Sequence, residues 1–359
     1  MEGKVECIEF DCEKKYLSDF IHMTSELYSF KNTTHDSEEL KHLLSGTHIL
    51  SKYFVLRKFC IYQDEKIVAR FALTLYPDDD TAYLGFVEGI EENQVWRYLF
   101  EQAEHYAEDS GCKKIVGPVN ASFWIGYRLK SDFFKDEPFT GEPYHREYYL
   151  NMFLKNGYEI IERYASSFYG AIDKNYTNPK FQKRYKQFRE KGYRIISPEQ
   201  ADFDTVLEEI YYSVSELYRD FPIYKKISCE DFCEYMKRYF KIINLNMVKI
   251  GYYEQKLVGF FVALPNYGTS VYHVNKLSNI LKVLYRKMSA KEYVLLYMGV
   301  DSKHKGLGSA LAYSISEELK KINGTSIGAL IHEGKVTQAY ASDLIIKRHG
   351  YVLLEKKLK

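Results

Sequence analysis

A basic turn with two glycines carries the strongest chemical signal in this sequence. It runs Lys303-His304-Lys305-Gly306-Leu307-Gly308 and continues into Ser309 and Ala310. Glycine lets a backbone approach a ligand closely and adopt angles that other residues avoid. If a helix begins here, its first N–H groups have no partner inside the helix and point at an approaching anion. The turn is therefore suited to hold a polyanion such as a pyrophosphate, with the two lysines adding positive charge.

Two apolar segments are expected to position this turn. Residues Tyr293 to Val300 form a short apolar run, which is typical of a buried strand. Residues Ala310 to Ile322 repeat apolar side chains at a spacing near 3.6, which predicts a helix. Upstream, Met247 to Leu264 predicts a hairpin with its turn near Glu254-Gln255. The basic turn would thus connect a buried strand to a helix.

This arrangement resembles the GNAT superfamily of N-acetyltransferases. Lys303 to Gly308 is similar to the family signature Arg/Gln-x-x-Gly-x-Gly/Ala, which holds the pyrophosphate of coenzyme A (CoA), and a hairpin precedes that signature in GNAT proteins. Downstream, we expect a strand over Ser326 to Ile331, a helix, and then His349-Gly350-Tyr351, which resembles the closing Gly-Phe/Tyr of the family. The resemblance implies an acyl-CoA co-substrate and no metal. Its implied binding residues are Met298, Val300, Lys303, His304, Lys305, Gly306, Leu307, Gly308, Ser309 and Ala310.

The first half of the chain repeats this plan without the basic turn. Phe59 to Leu75 predicts a hairpin, and Asn93 to Asp109 predicts a helix that ends near Gly111. Where the CoA turn would lie, the residues from Ile90 to Val95 have no glycine pair and carry two glutamates. An acidic turn repels a pyrophosphate, so we expect no CoA site in this half. The turn Gly117-Pro118-Val119-Asn120 is similar to a Gly-Pro-x-Asn turn in the first halves of tandem GNAT-like proteins.

We therefore expect a mixed α/β fold with two tandem GNAT-like domains, each a twisted mixed sheet flanked by helices. The expected boundaries are 1–175 for the first domain, 176–192 for a basic connecting helix and 193–359 for the second domain. The stretch from Lys180 to Arg194 interleaves basic residues with aromatic ones. It is compatible with RNA or an anionic membrane surface. A solvated helix that packs its aromatic side chains inward is the interpretation we favour.

Composition limits the other possibilities. The chain has 359 residues, 46% hydrophobic and 28% charged, which is typical of a folded protein with room for two cores. A net charge of +1 argues against a nucleic-acid partner, and no apolar run is long enough to span a membrane. The start of the chain lacks the features of a secretory signal. The six cysteines are scattered and form no metal pattern, so we expect reduced thiols in the cytoplasm.

Transfer of an acyl group to an amine requires acid and base groups. An amine with a pKa near 10.4 is neutral only about once in a few thousand molecules at pH 7, and a general base contributes about 10²–10⁴-fold. In the family, a tyrosine of the last helix often protonates the leaving thiolate. Counted back from Gly350, that tyrosine falls at Ile346 and the usual asparagine at Ala339, so Tyr340 is the nearest substitute. The remaining candidates are Glu333, His332 and His273 as bases, and Tyr297 beside the expected thioester.

A long segment, Pro265 to Glu292, separates the predicted hairpin from the CoA strand. Within it, Asn275 to Met288 predicts an amphipathic helix. Its apolar stripe consists of Leu277, Ile280, Leu281, Leu284 and Met288. The stripe would either pack on the first domain or line a pocket for an acceptor or a longer acyl chain.

The sequence thus predicts an acyl-CoA-dependent N-acyltransferase whose acceptor is a small-molecule or peptide amine. Two alternatives stay open. One is a Fem-like transferase that takes its acyl group from aminoacyl-tRNA, with the basic stretch from Lys180 to Arg194 as the RNA contact. The other is a non-catalytic binding or regulatory protein that keeps the GNAT fold, with or without CoA affinity, which the isoleucine at position 346 favours.

Overall fold

The computed structural model describes residues 4–29, 32–34, 36–273 and 277–359. In chain order, its helices and strands are β1 (Val5–Phe10), α1 (Lys14–Leu27), α2 (Ser37–Leu44), β2 (Val55–Gln63), β3 (Lys66–Leu75), β4 (Thr81–Gly89), α3 (Asn93–Asp109), β5 (Lys114–Gly117), β6 (Leu129–Lys130), α4 (Tyr149–Lys155), β7 (Glu159–Ile172), α5 (Pro179–Glu190), β8 (Arg194–Ile196), α6 (Phe203–Leu217), α7 (Cys229–Lys237), β9 (Val248–Tyr253), β10 (Lys256–Pro265), α8 (Leu277–Ser289), β11 (Glu292–Val300), α9 (Leu307–Ile322), β12 (Gly324–His332) and β13 (Ile345–Lys357). Among the described residues, no helix is long and apolar enough to cross a membrane.

The chain divides into two compact units. The first unit consists of Met1–Tyr164 together with His349–Lys359, and the second unit consists of Ala165–Arg348. These boundaries differ from the predicted ones at 175 and 193 in two respects. The end of the chain pairs its last strand with β5, so it belongs to the first unit. Helix α5 belongs to the second unit, because Phe181 and Phe188 are buried in the hydrophobic core of that unit. It is therefore part of that unit's core and not only a connection between the two units.

The first unit is a mixed sheet with helices on both faces. Strands β1 to β4 are antiparallel neighbours, β5 is parallel to β4, and β13 is antiparallel to β5. On one face, α3 and α4 bury aromatic side chains such as Trp96, Phe100 and Phe153. On the other face, α1 and α2 bury Phe20 and Leu44 against the sheet. Helix α3 forms because its buried residues recur every three to four positions, and it ends before Gly111, whose φ is +79°.

The second unit repeats this order. Strands β8 to β11 are antiparallel neighbours, and β12 is parallel to β11. The two predicted hairpins are confirmed, one in each unit. Asp64 and Glu65 in the first, and Glu254 and Gln255 in the second, all have positive φ, which is the backbone of a two-residue hairpin turn. Helix α9 begins at Leu307, one turn before the predicted start at Ala310.

The helix predicted after β12 is absent from the second unit. Gly334 (φ +82°) follows the strand, and Ala341 (φ +47°) separates two short 3-10 turns, Val336–Ala339 and Ser342–Leu344. The expected closing residues His349-Gly350-Tyr351 lie inside β13. The twelve residues between β12 and β13, 333–344, include two left-handed positions, and a regular helix cannot continue through them because helical residues need negative φ. Helix α5 packs against α9 and buries Phe181 and Phe188 there.

Helix α8 carries the predicted apolar stripe but does not bury it. Leu277, Leu281, Leu284 and Met288 are exposed, and the buried positions are Asn279 and Val283. The predicted first residues of this helix, Asn275 and Lys276, lie outside the described residues.

Candidate CoA site of the second unit

The turn between β11 and α9 is fixed by local hydrogen bonds. The Asp301 side chain accepts a hydrogen bond from the Lys303 N–H at 2.9 Å, and a single 3-10 turn, Ser302–His304, follows. Gly306 then adopts φ +96° and ψ −11° at the start of α9. Only glycine enters this left-handed region without a steric cost, so the position requires it. The turn therefore leads into the first N–H groups of α9, of which the Ser309 N–H donates to the Gly306 carbonyl at 3.2 Å.

Strands β11 and β12 pair over only part of their length. Their parallel register runs from Glu292↔Thr325 to Leu295↔Gly328. Beyond that point β11 has an extra residue, Leu296, against β10, and Leu330 of β12 has φ +55°. The Leu330 N–H donates to the Ser166 side chain at 2.9 Å. The register with β12 therefore ends at Leu295, before residues 296–300.

Four of the predicted residues converge at the start of α9. A Cβ added to Gly308 would lie 3.0 Å from the Tyr340 hydroxyl oxygen and 3.5 Å from Cε of Met298. The Ser309 hydroxyl donates to the Tyr340 hydroxyl at 3.4 Å. The Tyr340 ring also meets Phe181 edge-on, with 5.1 Å between the ring centroids. Tyr340 thus approaches the turn from the segment after β12, although it lies on no helix.

The positive end of α9 is surrounded by cations. Lys303 and Lys305 are exposed, and neither makes an ion pair among the described residues. The guanidinium carbon of Arg184, on α5, lies 3.5 Å from where a Cβ of Gly306 would be. The first turn of α9 contains no acidic residue, and Asp301 is the carboxylate of the turn itself. Cations beside the N-terminus of a helix repel its dipole, so this arrangement favours an anionic ligand.

Sequence reasoning placed Arg184 in a connecting helix and missed its position beside the turn. The signal was the spacing of Phe181, Arg184 and Phe188, which are three and four residues apart and so share one helix face. Since the two phenylalanines are buried against α9, Arg184 is directed towards the same helix. The sequence shows the shared face but not which helix it contacts.

His304 is held by two tyrosines. Its Nδ1 lies 2.7 Å from the Tyr193 hydroxyl oxygen. The rings of Tyr193 and Tyr253 stack at 4.3 Å, and each lies within 6 Å of the imidazole. Tyr193 precedes β8 and Tyr253 is the last residue of β9, so these contacts connect the middle of the turn to the sheet.

The other candidate acid and base residues lie elsewhere. Tyr297 is 48% exposed and points to the opposite face of β11 from Met298, because successive strand residues alternate. Glu333 is exposed in the turn that follows β12, and His332 ends that strand. His273 follows a 3-10 turn before α8, and its carbonyl accepts a hydrogen bond from Asn279. Of the three leading candidates, the structure brings only Tyr340 to the basic turn.

The positional comparison of Ile346 and Ala339 with the family's tyrosine and asparagine does not hold in the structure. That comparison assumed a helix ending at Gly350, whereas Ile346 is an exposed residue of β13 and Ala339 ends a 3-10 turn. A tyrosine at position 346 would therefore not stand where the family's tyrosine stands.

In the first unit, the chain itself fills the corresponding strand edge. Strand β4 has an extra residue near Phe86, but the Val119 N–H donates to the Leu84 carbonyl at 2.8 Å. The Phe86 N–H donates to the Asn120 side chain, also at 2.8 Å. A Cβ on Gly85 would lie 2.0 Å from the Val119 carbonyl oxygen, so the two segments are in close contact. The Gly-Pro-Val-Asn turn thus supplies hydrogen-bond partners to the backbone of Leu84 and Phe86.

The first unit also contains a buried ionic cluster that the sequence did not indicate. Lys130 and Glu142 form an ion pair at 2.9 Å, and both are fully buried. His349 lies between Glu142 and Asp136, and the Tyr351 hydroxyl donates to Glu142 at 2.5 Å. Burial raises the pKa of Glu142, but the hydrogen bond from His349 and the charge of Lys130 outweigh burial and lower it overall. Among the described residues, no group of His, Cys, Asp and Glu side chains could hold a metal ion.

No family model and no curated protein sequence matches this chain. Its structure is similar to that of a tandem GNAT protein from the clavulanic acid biosynthesis pathway, with a TM-score of 0.53, 10% identity, and coverage of 99% of this chain and 98% of that one. It is also similar to a GCN5-related N-acetyltransferase from Sphaerobacter thermophilus, with a TM-score of 0.51, 10% identity, and coverage of 98% and 95%.

A third similar structure is a glucosamine N-acetyltransferase region in a fungal multi-domain β-N-acetylglucosaminidase. The TM-score is 0.58 at 12% identity, and the match covers 99% of this chain and 38% of that one. At such low identity these similarities establish the fold alone. The chain has the tandem GNAT fold, as its sequence predicts.

Proposed function

We propose that the second unit binds an acyl-CoA and transfers its acyl group to the amine of a small molecule or peptide. The observation that carries this proposal is the cluster of cations at the positive end of α9. Lys303, Lys305 and Arg184 surround a helix start that requires glycine at position 306. A pyrophosphate would offset the repulsion among these charges and accept hydrogen bonds from the first amides of the helix.

The end of the register between β11 and β12 supports the same ligand. The pantetheine arm of CoA contains amide groups, which pair with a strand edge as an added strand does. Backbone groups of Met298 and Val300 would supply this pairing, since the register with β12 ends at Leu295. The residues present therefore fit CoA in both its anionic part and its amide-containing part.

The transfer needs a proton acceptor for the amine and a proton donor for the thiolate. The amine nitrogen forms a bond with the carbonyl carbon while the C–S bond breaks. Tyr340 would protonate the leaving sulfur, because the Ser309 hydroxyl donates to Tyr340 and so leaves the phenolic proton available. Glu333, at the end of β12, would accept the proton of the amine, and Tyr297 would contact the acceptor from the other face of β11.

We propose that the first unit binds no CoA. Glu91 and Glu92 precede α3 where the second unit has its basic turn, and Val119 and Asn120 occupy the strand edge. One CoA per chain is the expected stoichiometry.

A calorimetric titration of the whole chain with acetyl-CoA, and with palmitoyl-CoA in parallel, tests the proposal. Binding at one site per chain is the expected result, and two sites would contradict the assignment of the first unit. Failure to bind either ligand would contradict the CoA assignment and leave transfer from aminoacyl-tRNA, or a non-catalytic role, as the alternatives.

Release of free thiol from the bound acyl-CoA, measured with a panel of amines, tests catalysis separately. The expected result is thiol release that depends on the amine. The second unit lacks the closing helix that carries the family's tyrosine, which favours a non-catalytic CoA-binding protein as the second candidate. Tight binding without thiol release from any amine would support that candidate.

A further inference from the structure

Helix α5 and the residues that follow it concentrate positive charge on the surface of the second unit. Between positions 180 and 194 the only acidic residue is Glu190. The basic residues of this stretch are all exposed, and none of them makes an ion pair among the residues that the structure describes: Lys180, Lys183, Arg184, Lys186, Arg189, Lys191 and Arg194. The whole chain has a net charge of only +1, so this excess of cations is local.

The same charges work against the stability of α5. Lys180, Lys183 and Lys186 follow one another at a spacing of three residues, so they are neighbours on the helix surface and repel each other. The first turn of α5 contains no acidic residue, and Lys180 lies there at the positive end of the helix dipole. A bound anionic surface would offset both unfavourable interactions.

CoA at the basic turn does not account for the outer face of α5. Lys183 and Lys186 lie on the side of the helix opposite its two buried phenylalanines. The start of α9 lies on the buried side, where Arg184 approaches Gly306. A helix with its side chains is about 10 Å across, which exceeds the Debye length of about 8 Å at physiological ionic strength. Lys183 and Lys186 therefore add little to the attraction of a phosphate at the turn.

The outer face of α5 offers charge and no aromatic ring. Phe181 and Phe188 are buried, and the Tyr185 ring packs against Tyr313 with 5.0 Å between the ring centroids. The aromatic side chains of α5 are thus engaged within the second unit, and none extends from the outer face to stack on a base or enter a bilayer. A partner on this face is recognised by its negative charge.

We propose that the outer face of α5 docks an acidic carrier protein, whose phosphopantetheine arm brings the acyl group to the second unit. This role rests on the proposed function, because the arm is the part that a carrier protein shares with CoA. The phosphate of the arm would bind at the basic turn, and its amides would reach the end of β11. Since α5 packs against α9, a protein attached to that phosphate would lie beside Lys183 and Lys186. An RNA would also complement the cations, but it has no such arm.

The transfer step is the one proposed for acyl-CoA, with a different thiol as the leaving group. The amine nitrogen forms a bond with the carbonyl carbon of the thioester while the C–S bond breaks. The amine proton passes to Glu333, and Tyr340 protonates the sulfur. The acyl group leaves as an amide, and the free thiol stays on the carrier protein.

Calorimetric titration of the whole chain with an acidic bacterial acyl carrier protein tests the proposal. The carrier protein is used with its arm as the free thiol and, separately, without the arm. We expect the arm-bearing form to bind at one site per chain, to compete with acetyl-CoA and to bind more weakly as salt is added. Without the arm, binding should be at least about tenfold weaker, because one of two linked contacts is lost.

Two double variants with the same change in net charge locate the contact. Lys183→Glu with Lys186→Glu should weaken binding of the carrier protein by about tenfold or more and leave the Kd of acetyl-CoA unchanged. Lys256→Glu with Lys282→Glu, at exposed lysines of the second unit outside α5, should change neither value. Thermal melting verifies that each variant is folded, and the α5 variant should lose no stability because like-charge repulsion is relieved.

The outcomes separate this proposal from the proposed function. Binding of acetyl-CoA without binding of the carrier protein would overturn the docking role and leave the CoA site intact. An equal loss of carrier binding in both double variants would also overturn it, since the location of the charge would not matter. Failure of the wild-type chain to bind either ligand would contradict the CoA site as well. Binding of transfer RNA in place of the carrier protein, weakened only by the α5 variant, would assign the face to a nucleic acid.

Discussion

Replacement of Gly306 by alanine isolates the backbone requirement of the candidate CoA turn. A Cβ at this position would lie 3.5 Å from the Arg184 guanidinium and 3.7 Å from Phe188, which are ordinary contacts, so the substitution introduces no collision. Its cost comes from φ, which is +96°. An L-residue in the left-handed region costs about 1–2 kcal/mol relative to glycine. If the turn keeps its conformation, this cost lowers stability, and if the turn relaxes, the cost lowers affinity for the ligand.

In affinity, 1–2 kcal/mol corresponds to roughly a 5- to 30-fold weaker binding of acetyl-CoA. Calorimetric titration measures that change, and urea denaturation measures the change in the free energy of unfolding. Gly308→Ala is the matched control. Gly308 lies inside α9, where alanine is favoured by up to about 1 kcal/mol, and only the Tyr340 hydroxyl, at 3.0 Å, has to shift slightly. We expect this control to bind acetyl-CoA nearly as well as wild type.

Gly306→Asn provides a second comparison, because asparagine tolerates the left-handed region better than alanine. Its affinity should lie between those of wild type and Gly306→Ala. The reasoning would be refuted if Gly306→Ala changed neither stability nor affinity, or if Gly308→Ala lost more affinity than Gly306→Ala. Either result would show that the conformation of Gly306 does not support the ligand.

Three further predictions concern single side chains. Arg184→Gln should weaken acetyl-CoA binding by about tenfold and reduce the salt dependence of that binding. Titration at two ionic strengths measures both effects. An unchanged salt dependence would exclude contact between Arg184 and the phosphates. Tyr340→Phe should lower kcat about 10²-fold while the Kd of acetyl-CoA stays constant, whereas a change in Kd alone would indicate a packing role. Glu142→Gln should destabilise the chain by about 3–5 kcal/mol at pH 7, because it leaves Lys130 buried without its partner. The pKa of Glu142 is lowered in the folded state, so its stabilising effect is present above the ordinary value of 4.5 and is lost as pH falls through the lowered pKa. The free energies of unfolding of wild type and variant, measured by urea titration, should therefore converge in acid.

The parts of the fold that local sequence determines were predictable. Polar two-residue turns between apolar runs predict both hairpins, and the residues of these turns have positive φ in the structure. Helices α3 and α9 follow from apolar spacing, and Gly306 was identified as a special position by residue type alone. Each of these signals lies within about a dozen residues of the feature that it predicts.

Contacts between distant segments were not predictable in the same way. Arg184 reaches the turn only because α5 packs against α9, more than 120 residues later in the chain, and no periodicity encodes that choice of neighbour. The residues after β12 show a Gly-Tyr that resembles the end of a GNAT helix, yet they extend as β13 because that strand pairs with β5 of the first unit. The resemblance to the family predicts a helix there, but long-range strand pairing makes these residues part of a strand instead.

The two units together explain why we propose that the basic turn and the end of β11 form one site. Both units carry an extra residue in the strand before the signature helix, near Phe86 in β4 and at Leu296 in β11. That irregularity interrupts pairing with the next parallel strand and leaves backbone groups that need partners. In the first unit, Val119 and Asn120 are those partners, and the following turn is acidic. In the second unit the register stops at Leu295 and the following turn is basic. A ligand with amides along its chain and phosphates at its end satisfies both features at once, and the unit that lacks one of them lacks the other as well.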